Sequence, residues 1–146
     1  MNIDKLREEL KIDEGVKYEI YLDHLDLPTF GIGHLVLPSD PECGAEIGTP
    51  VSEDRVNECF ASDTDSVLKD CKLLFPSFEV LPEEVQLIIA NMMFNMGRPR
   101  MSGFKKFIAA IEISNWQEAA NQMIDSRWYN QVTNRAQRLV DRMRQV

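Results

Sequence analysis

A helix that is apolar on almost every side constrains the fold of this chain most. Residues 82–97 read PEEVQLIIANMMFNMG, with a proline suited to a helix start and Gly97 as a common helix stop. Other elements must surround such a helix to remove it from water, so the sequence predicts a lobe of helices packed around it. Shorter helices are expected to follow at 102–113, 115–125, 126–131 and from about 133 to the end.

The first fifty residues follow a different pattern, with two short segments typical of β-strands. A helix from the amino terminus is expected to end at Gly15. Polar and apolar residues alternate over residues 17–23, which predicts a half-buried strand. The face of that strand directed inward would carry Tyr18, Ile20 and Leu22. Residues 29–36 predict a second strand, and a loop rich in proline and glycine follows at 38–50.

A long helix is expected between these two regions. Ser52 is a suitable N-cap, and the apolar stripe continues to about Leu74, where Pro76 stops the helix. Asp63 interrupts that stripe. A carboxylate at such a place is costly unless it has a partner, so Asp63 is expected to be paired.

These elements predict one α+β domain over residues 1–146, with a cleft between a small lobe and a helical lobe. The expected parts are a β-hairpin lobe at about 15–50, a helical lobe of 1–14 and 75–146, and a connecting helix at 52–74.

The composition excludes several classes of protein. Sixteen basic and twenty-four acidic side chains give a net charge of −8, which argues against a nucleic-acid partner. No apolar run is long enough for membrane insertion, and the charged start MNIDKLREEL is not a signal peptide. Three cysteines without a CxxC pair, and two histidines without metal-ligand spacing, argue against a disulfide framework and against a metal site.

Three polar residues lie where the first elements end or begin. Glu14 closes the first helix, Asp23 follows the first strand, and Thr29 opens the second. A helix terminus and a hairpin can bring them to one edge of the small lobe. Two carboxylates there suit inverting glycoside hydrolysis, in which one acid protonates the leaving oxygen and the other carboxylate activates a water.

The chain also resembles the T-even phage-type lysozymes over nearly its whole length, in the family's order. The spacing acid–x₈–Asp–x₅–Thr is that family's catalytic signature. The segments that carry the resemblance are IDEG at 12–15, YLD at 21–23, TFGIGHL at 29–35, NMMFNMG at 91–97, W-x-EAA at 116–120 and SRWYNQ-x-x-NRA at 126–136.

The resemblance implies a role for each catalytic candidate. Glu14 would be the general acid, Asp23 would position and activate the attacking water, and Thr29 would help to hold that water. The family also places an arginine near the acid, at the position of Arg135 here.

It further implies substrate contacts and one structural pair. Leu35 and Phe94 match residue types that line the family's sugar cleft, and Gln122 replaces a related amide there. The family pairs an acid at the position of Asp63 with the histidine of GIGH, which predicts a structural ion pair between His34 and Asp63. Such a pair raises the pKa of the histidine.

The activity implied is that of a monomeric, bacteriolytic muramidase. It would cleave the β-1,4 bond between N-acetylmuramic acid and N-acetylglucosamine in bacterial peptidoglycan, with water as the only cosubstrate and with no metal or organic cofactor. The alternatives are a lytic transglycosylase-like enzyme and an inactive peptidoglycan-binding module. Without an export signal, the protein is expected in the cytoplasm of the producing cell. It would leave through holin-made holes if it is a phage protein, or by unconventional secretion if it is an animal defence protein.

The charge is unevenly distributed along the chain. Residues 1–100 carry a net charge of −11, whereas residues 101–146 carry +3 and include the adjacent Lys105 and Lys106. We therefore expect the helical lobe to make the electrostatic approach to the anionic bacterial wall.

Overall fold

The computed structural model describes all residues from 1 to 146 and shows an α+β fold with eight α-helices and one small sheet. The strands are β1 (Lys17–Leu22), β2 (Pro28–Gly31) and β3 (His34–Leu35). The helices are α1 (Ile3–Glu14), α2 (Glu53–Leu74), α3 (Glu83–Met96), α4 (Arg98–Ser102), α5 (Lys105–Glu112), α6 (Trp116–Ile124), α7 (Arg127–Gln131) and α8 (Thr133–Arg144), with a 3₁₀ turn at Phe78–Val80.

The chain divides into two compact units. We call residues 7–65 the sheet unit, and residues 1–6 with 66–146 the helical unit. Both α1 and α2 contribute residues to each unit. None of the helices combines the length and the apolar character that a bilayer crossing requires.

The three strands form an antiparallel sheet in the order β1-β2-β3. The prediction of one continuous strand at residues 29–36 is wrong. These residues form two strands instead of one, because Gly31 and Gly33 adopt φ angles of +64° and +61° and reverse the chain. In the resulting register Thr29 faces Leu35 across the ladder. The glycines therefore make a hairpin where the pattern predicted a continuous strand.

The alternating pattern of β1 is only partly reflected in its burial. Ile20 is buried as predicted, but Tyr18 and Leu22 are 50% and 46% exposed. The pairing of β1 with β2 is irregular between Lys17 and Tyr21, which breaks the alternation of faces. The core of the sheet unit instead comes from several segments, and its buried members include Ile20, Phe30, Ile32, Val51 and Val56.

Helix α2 begins and packs as the sequence predicts. The hydroxyl of Ser52 accepts a hydrogen bond from the amide of Arg55, as an N-cap should. At the step where the apolar stripe is interrupted, Thr64 is fully buried and donates to the carbonyl of Phe60 at 2.7 Å. Thr64 therefore fills the gap in the stripe, and the side chain of Asp63 is only partly buried beside it.

The helical unit is built around α3, as its sequence predicts. Every residue from 85 to 93 is buried, so water is excluded from all sides of this helix. The single helix predicted at 102–113 is interrupted by Gly103 and Phe104, and α5 begins only at Lys105. Phe104 leaves the helical conformation and stacks on Phe107, with ring centroids 5.1 Å apart.

Candidate active site

Glu14 is the last residue of α1, and a glycine fixes where that helix ends. Gly15 adopts a φ of +74°, and its amide donates to the carbonyl of Lys11 at 3.0 Å. A left-handed glycine after the last turn is a common helix terminus. The carboxyl group of Glu14 is therefore held, partly buried, at a defined point on the sheet unit.

The turn between β2 and β3 approaches the carboxyl group of Glu14 very closely. A methyl group placed on Gly33 would lie 2.5 Å from Oε1 of Glu14 and 3.0 Å from its Cδ. A side chain at position 33 would displace the carboxyl group of Glu14, and the φ of +61° at this position also favours glycine. The backbone of this turn forms one wall around the acid.

Asp23 is held by the turn that follows β1. Its Oδ1 accepts hydrogen bonds from the amides of Leu25 and Leu27, at 2.8 and 2.9 Å. The same turn closes through the amide of Asp23, which donates to the carbonyl of Leu27. One carboxylate oxygen is thus fixed, and Oδ2 takes part in neither of these side-chain bonds.

Thr29 is tied to the same turn and is buried. Its hydroxyl donates to the carbonyl of Leu27 at 2.9 Å. Because the hydroxyl proton is used in this bond, the oxygen can act only as an acceptor toward a further group. Leu27 therefore orients both Asp23 and Thr29 through its two peptide groups.

Tyr21 is a site residue that the sequence analysis missed. It pairs with Thr29 across the β1–β2 ladder, and the ammonium of Lys17 lies 4.3 Å from the centroid of its ring. Burial raises the pKa of Tyr21, and the charges of Glu14 and Asp23 raise it further. Both carboxylates therefore act electrostatically on one hydroxyl. Only the strand register reveals this position.

His34 is buried and lies between two carboxylates. Its Nδ1 is 2.6 Å from Oδ2 of Asp63, and its Nε2 is 2.8 Å from Oδ2 of Asp40. Two acceptors require both ring nitrogens to carry protons, which is the imidazolium form. Burial acts to lower the pKa of His34, but the two hydrogen bonds and charges outweigh it, so the pKa lies above 6.5. The structure thus brings His34 and Asp63 together and adds Asp40.

Asp40 is shared between His34 and Arg55. Burial acts to raise its pKa, but hydrogen bonds from the amide of Leu37 and from His34, with the charge of Arg55, hold the pKa below 3.8. Arg55 also makes two hydrogen bonds to Glu42, both at 3.0 Å. Asp40 and Arg55 gave no signal in the sequence, because they meet only when the loop folds back on α2.

The remaining predicted residues lie in different parts of the fold. Leu35 is exposed on β3 in the sheet unit. Phe94, Gln122 and Arg135 belong to the helical unit. There the amide of Gln122 donates to Glu118 at 2.7 Å, and Nε of the buried Arg135 donates to Oδ1 of Asn91 at 2.9 Å. No group of three or more histidine, cysteine or acidic side chains is arranged to hold a metal ion.

The arrangement in the sheet unit can support acid–base chemistry. Glu14 lies beside the turn at Gly33. The carboxylate of Asp23, which has one oxygen fixed, and the hydroxyl of Thr29, which can only accept, are both hydrogen bonded to Leu27. A proton donor and a base that orients water are the two components of inverting glycoside hydrolysis.

The close approach of Gly33 to Glu14 can be tested with a matched pair of substitutions. Gly33→Ala should lose about 1–2 kcal/mol of unfolding free energy from left-handed strain, and a smaller further amount because the carboxyl group of Glu14 must be displaced. Gly15→Ala has the same kind of φ with nothing within 4 Å, so it should lose only the strain contribution. Urea unfolding measures both losses. In a Glu14→Ala background the difference between the two variants should disappear. If it persists, the contact with Glu14 is not its cause.

The charge network of His34 predicts a pH-dependent contribution to stability. Because the pKa of His34 is raised in the folded state, the network's contribution to the free energy of unfolding is fully present below about pH 6.5. This contribution is lost as the pH rises through the raised pKa of His34. Because the pKa of Asp40 is lowered in the folded state, its part of the contribution is present above about pH 4 and is lost as the pH falls through that lowered pKa. We expect His34→Asn to cost about 3 kcal/mol between pH 4.5 and 6 and clearly less once the pH has risen above the raised pKa of His34.

The measurement is urea unfolding across this pH range, with His24→Asn as the control, because His24 is exposed in the turn after β1. A loss from His34→Asn that is the same at every pH would contradict the assignment.

Comparison with known proteins assigns this chain to a family. The family model described as phage lysozyme matches residues 11–145. The chain is 32% identical to the probable T4-type lysozyme 2 of Dictyostelium discoideum, across 94% of this chain and 92% of that protein. It is 28% identical to the pre-baseplate central spike protein Gp5 of Enterobacteria phage T4, across 92% of this chain and 26% of that protein. It is 31% identical to the peptidoglycan hydrolase gp36 of Pseudomonas phage phiKMV, across 94% of this chain and 15% of that protein. The chain therefore belongs to the phage lysozyme family of glycoside hydrolases.

Proposed function

We propose that this protein is a muramidase that hydrolyses the β-1,4 bond between N-acetylmuramic acid and N-acetylglucosamine in bacterial peptidoglycan, with inversion at the anomeric carbon. Membership of the phage lysozyme family supports the lysozyme activity, and the similarity to a phage peptidoglycan hydrolase supports the substrate class. The bond cleaved is inferred from the resemblance to the T-even phage-type lysozymes, and the stereochemistry from the acid and the two water acceptors of the sheet unit.

The observation that carries the proposal is the shared orientation of Asp23 and Thr29 by Leu27. The amide of Leu27 fixes one oxygen of Asp23, and its carbonyl takes the hydroxyl proton of Thr29. What remains is a carboxylate oxygen and a hydroxyl lone pair, both acceptors. A water molecule has two protons to donate, so this pair suits one water held by two hydrogen bonds.

In the proposed reaction Glu14 acts first. Its carboxylic acid donates a proton to the glycosidic oxygen as the bond from that oxygen to the anomeric carbon breaks. The leaving sugar departs as a neutral alcohol, and Glu14 becomes a carboxylate. The glycine turn at Gly33 restricts where the acid can move, which keeps its proton directed at one oxygen.

The water attacks from the opposite face of the sugar ring. As the oxygen of the water bonds to the anomeric carbon, Asp23 accepts one proton of the water. Thr29 accepts a hydrogen bond from the other proton of the water. Exchange with solvent then returns the proton to Glu14 and removes it from Asp23.

Leu35, Phe94 and Gln122 are proposed as substrate contacts within their own units, and the enzyme is proposed to act as a monomer.

Substitution of the acid tests this function directly. Glu14→Gln removes the proton donor while preserving the size of the side chain, so the hydrolysis rate should fall by a factor of about 10² to 10⁴. The measurement is clearing of purified peptidoglycan, followed by analysis of the new sugar ends. Glu19→Gln is the matched control, because Glu19 is an exposed carboxylate on β1, and it should keep full activity.

The sugar ends distinguish the three candidate functions. Reducing muramic ends that disappear in Glu14→Gln support the muramidase. Anhydro-muramic ends would show a lytic transglycosylase, in which no water attacks. No product from the wild type, with binding to the wall retained, would show a binding module.

The distribution of charge suggests how the enzyme approaches its substrate. The sheet unit contains four basic and fifteen acidic side chains, a net charge of −11, whereas the helical unit contains twelve and nine, a net charge of +3. Lys105 and Lys106 are both exposed at the start of α5. We propose that this end of α5 attracts the anionic wall.

Reversal of the two lysines to glutamate should therefore slow clearing by about tenfold at ~0.01 M salt and have little effect at ~1 M salt, where charges are screened. The control is the double reversal of Lys5 and Lys69, two other exposed lysines of the helical unit. An equal loss at both salt concentrations, or the same loss in the control, would refute a steering role for Lys105 and Lys106.

A further inference from the structure

Basic side chains are scarce in the sheet unit, and half of them serve internal contacts. The unit has four cationic side chains, and the ammonium of one of them, Lys17, lies over the ring of Tyr21. Arg55 is hydrogen bonded to three carboxylates, those of Asp40, Glu42 and Glu58. The other two cations are Arg7 and Lys11, and they lie together.

Arg7 and Lys11 line one cavity on the surface of the sheet unit. They are four residues apart on α1, so their side chains project from the same face of the helix. The cavity has a volume of about 200 Å³, and α2 completes it with Asn57, Phe60 and Ala61. No carboxylate lines it. In a unit with fifteen acidic residues, this is a locally cationic hollow.

The guanidinium of Arg7 has a donor without a partner. Its Nε is buried and makes no hydrogen bond. A buried donor that has lost water and gained no acceptor is unfavourable, and native structures rarely leave one in this state. Lys11 has only an exposed contact with Glu8 at 3.6 Å, which is too weak to hold it away from a ligand.

The lining indicates the chemistry of the occupant. A guanidinium, an ammonium and a side-chain amide offer donors from two helices, and Phe60 supplies an apolar wall. A carboxylate has two oxygens for these three donor groups, whereas a phosphate group presents enough oxygens for a bidentate contact with Arg7 and for the other donors. The volume is below the roughly 300–1,000 Å³ of pockets for drug-sized ligands, so it suits a small group.

We propose that this cavity, formed by Arg7, Lys11 and Asn57, is a binding site for a phosphate group. The group is either free inorganic phosphate or one phosphodiester unit of an anionic polymer. The site is separate from hydrolysis and does not depend on the proposed catalytic mechanism.

Titration of the intact protein with inorganic phosphate at constant ionic strength, with chloride as the background ion, tests the site. Calorimetry or NMR chemical shifts of Arg7 and Asn57 should show saturable binding. Arg7→Gln should weaken it tenfold or more, and Lys11→Gln by a smaller factor, because each removes a charge-assisted hydrogen bond. Lys5→Gln is the matched control, since it removes the same charge from an exposed position on α1 outside the cavity.

Thermal unfolding separates ligand binding from a purely structural role of Arg7. Phosphate should raise the unfolding temperature of the wild type and of Lys5→Gln above that in chloride, but not that of Arg7→Gln. If Arg7 only packs its stem on Phe60, its loss lowers stability equally in both salts, and the proposal fails. Absence of saturable phosphate binding by the wild type overturns it as well.

A second titration distinguishes the two sources of the phosphate group. Poly(glycerol phosphate) that displaces inorganic phosphate from the wild type, and binds Arg7→Gln at least tenfold more weakly, assigns the site to a phosphodiester polymer. Inorganic phosphate that binds without competition from the polymer assigns it to the free ion. Equal binding of both ligands by wild type and Arg7→Gln contradicts the site altogether.

Discussion

The contact on which the sheet unit depends is the buried imidazolium of His34. Its two nitrogens hold Asp63 on α2 and Asp40 in the loop after β3, and Arg55 of α2 closes the network through Asp40. Positive and negative groups alternate along this chain of contacts. The fold can bury them because each charge faces an opposite one and is hydrogen bonded to it. The network adds a polar attachment of the sheet to α2 beside the apolar one, in which Val56 of α2 packs against Gly31.

This anchor also determines the position of the catalytic candidates. Gly33 immediately precedes His34, so a fixed imidazole fixes the turn that approaches Glu14. His34 pairs with Phe30 across the β2–β3 ladder, and Leu35 pairs with Thr29. The position of the Thr29 hydroxyl thus follows from the same contact. Stability and the geometry of the site are consequently coupled through a group whose charge depends on pH.

Features set by local sequence could be predicted, and those set by distant segments could not. The ends of α1 and α3, the cap at Ser52 and the buried hub at 82–97 follow from neighbouring residues. The pairing of Gly31 and Gly33 in a turn could not be foreseen, because glycine is as compatible with a bent strand as with a reversal. Asp40 and Arg55 lie fifteen positions apart and meet only through the folded loop. Tyr21 required the register with Thr29. For Glu14 and Asp23, spacing indicated a pair of acids, and only the family resemblance assigned their separate roles.

The cysteines of this fold give it a practical property. Burial raises the pKa of Cys59 to about 11 and that of Cys71 to about 12, whereas Cys43 is exposed in the loop that follows β3. Since the thiolate is the nucleophile, thiol reagents near neutral pH will modify Cys43 in preference to the other two. Cys43 adjoins Glu42, which binds Arg55. A spectroscopic probe can therefore be attached at Cys43 without any substitution, within the loop that completes the His34 network, and can report when that loop detaches from α2.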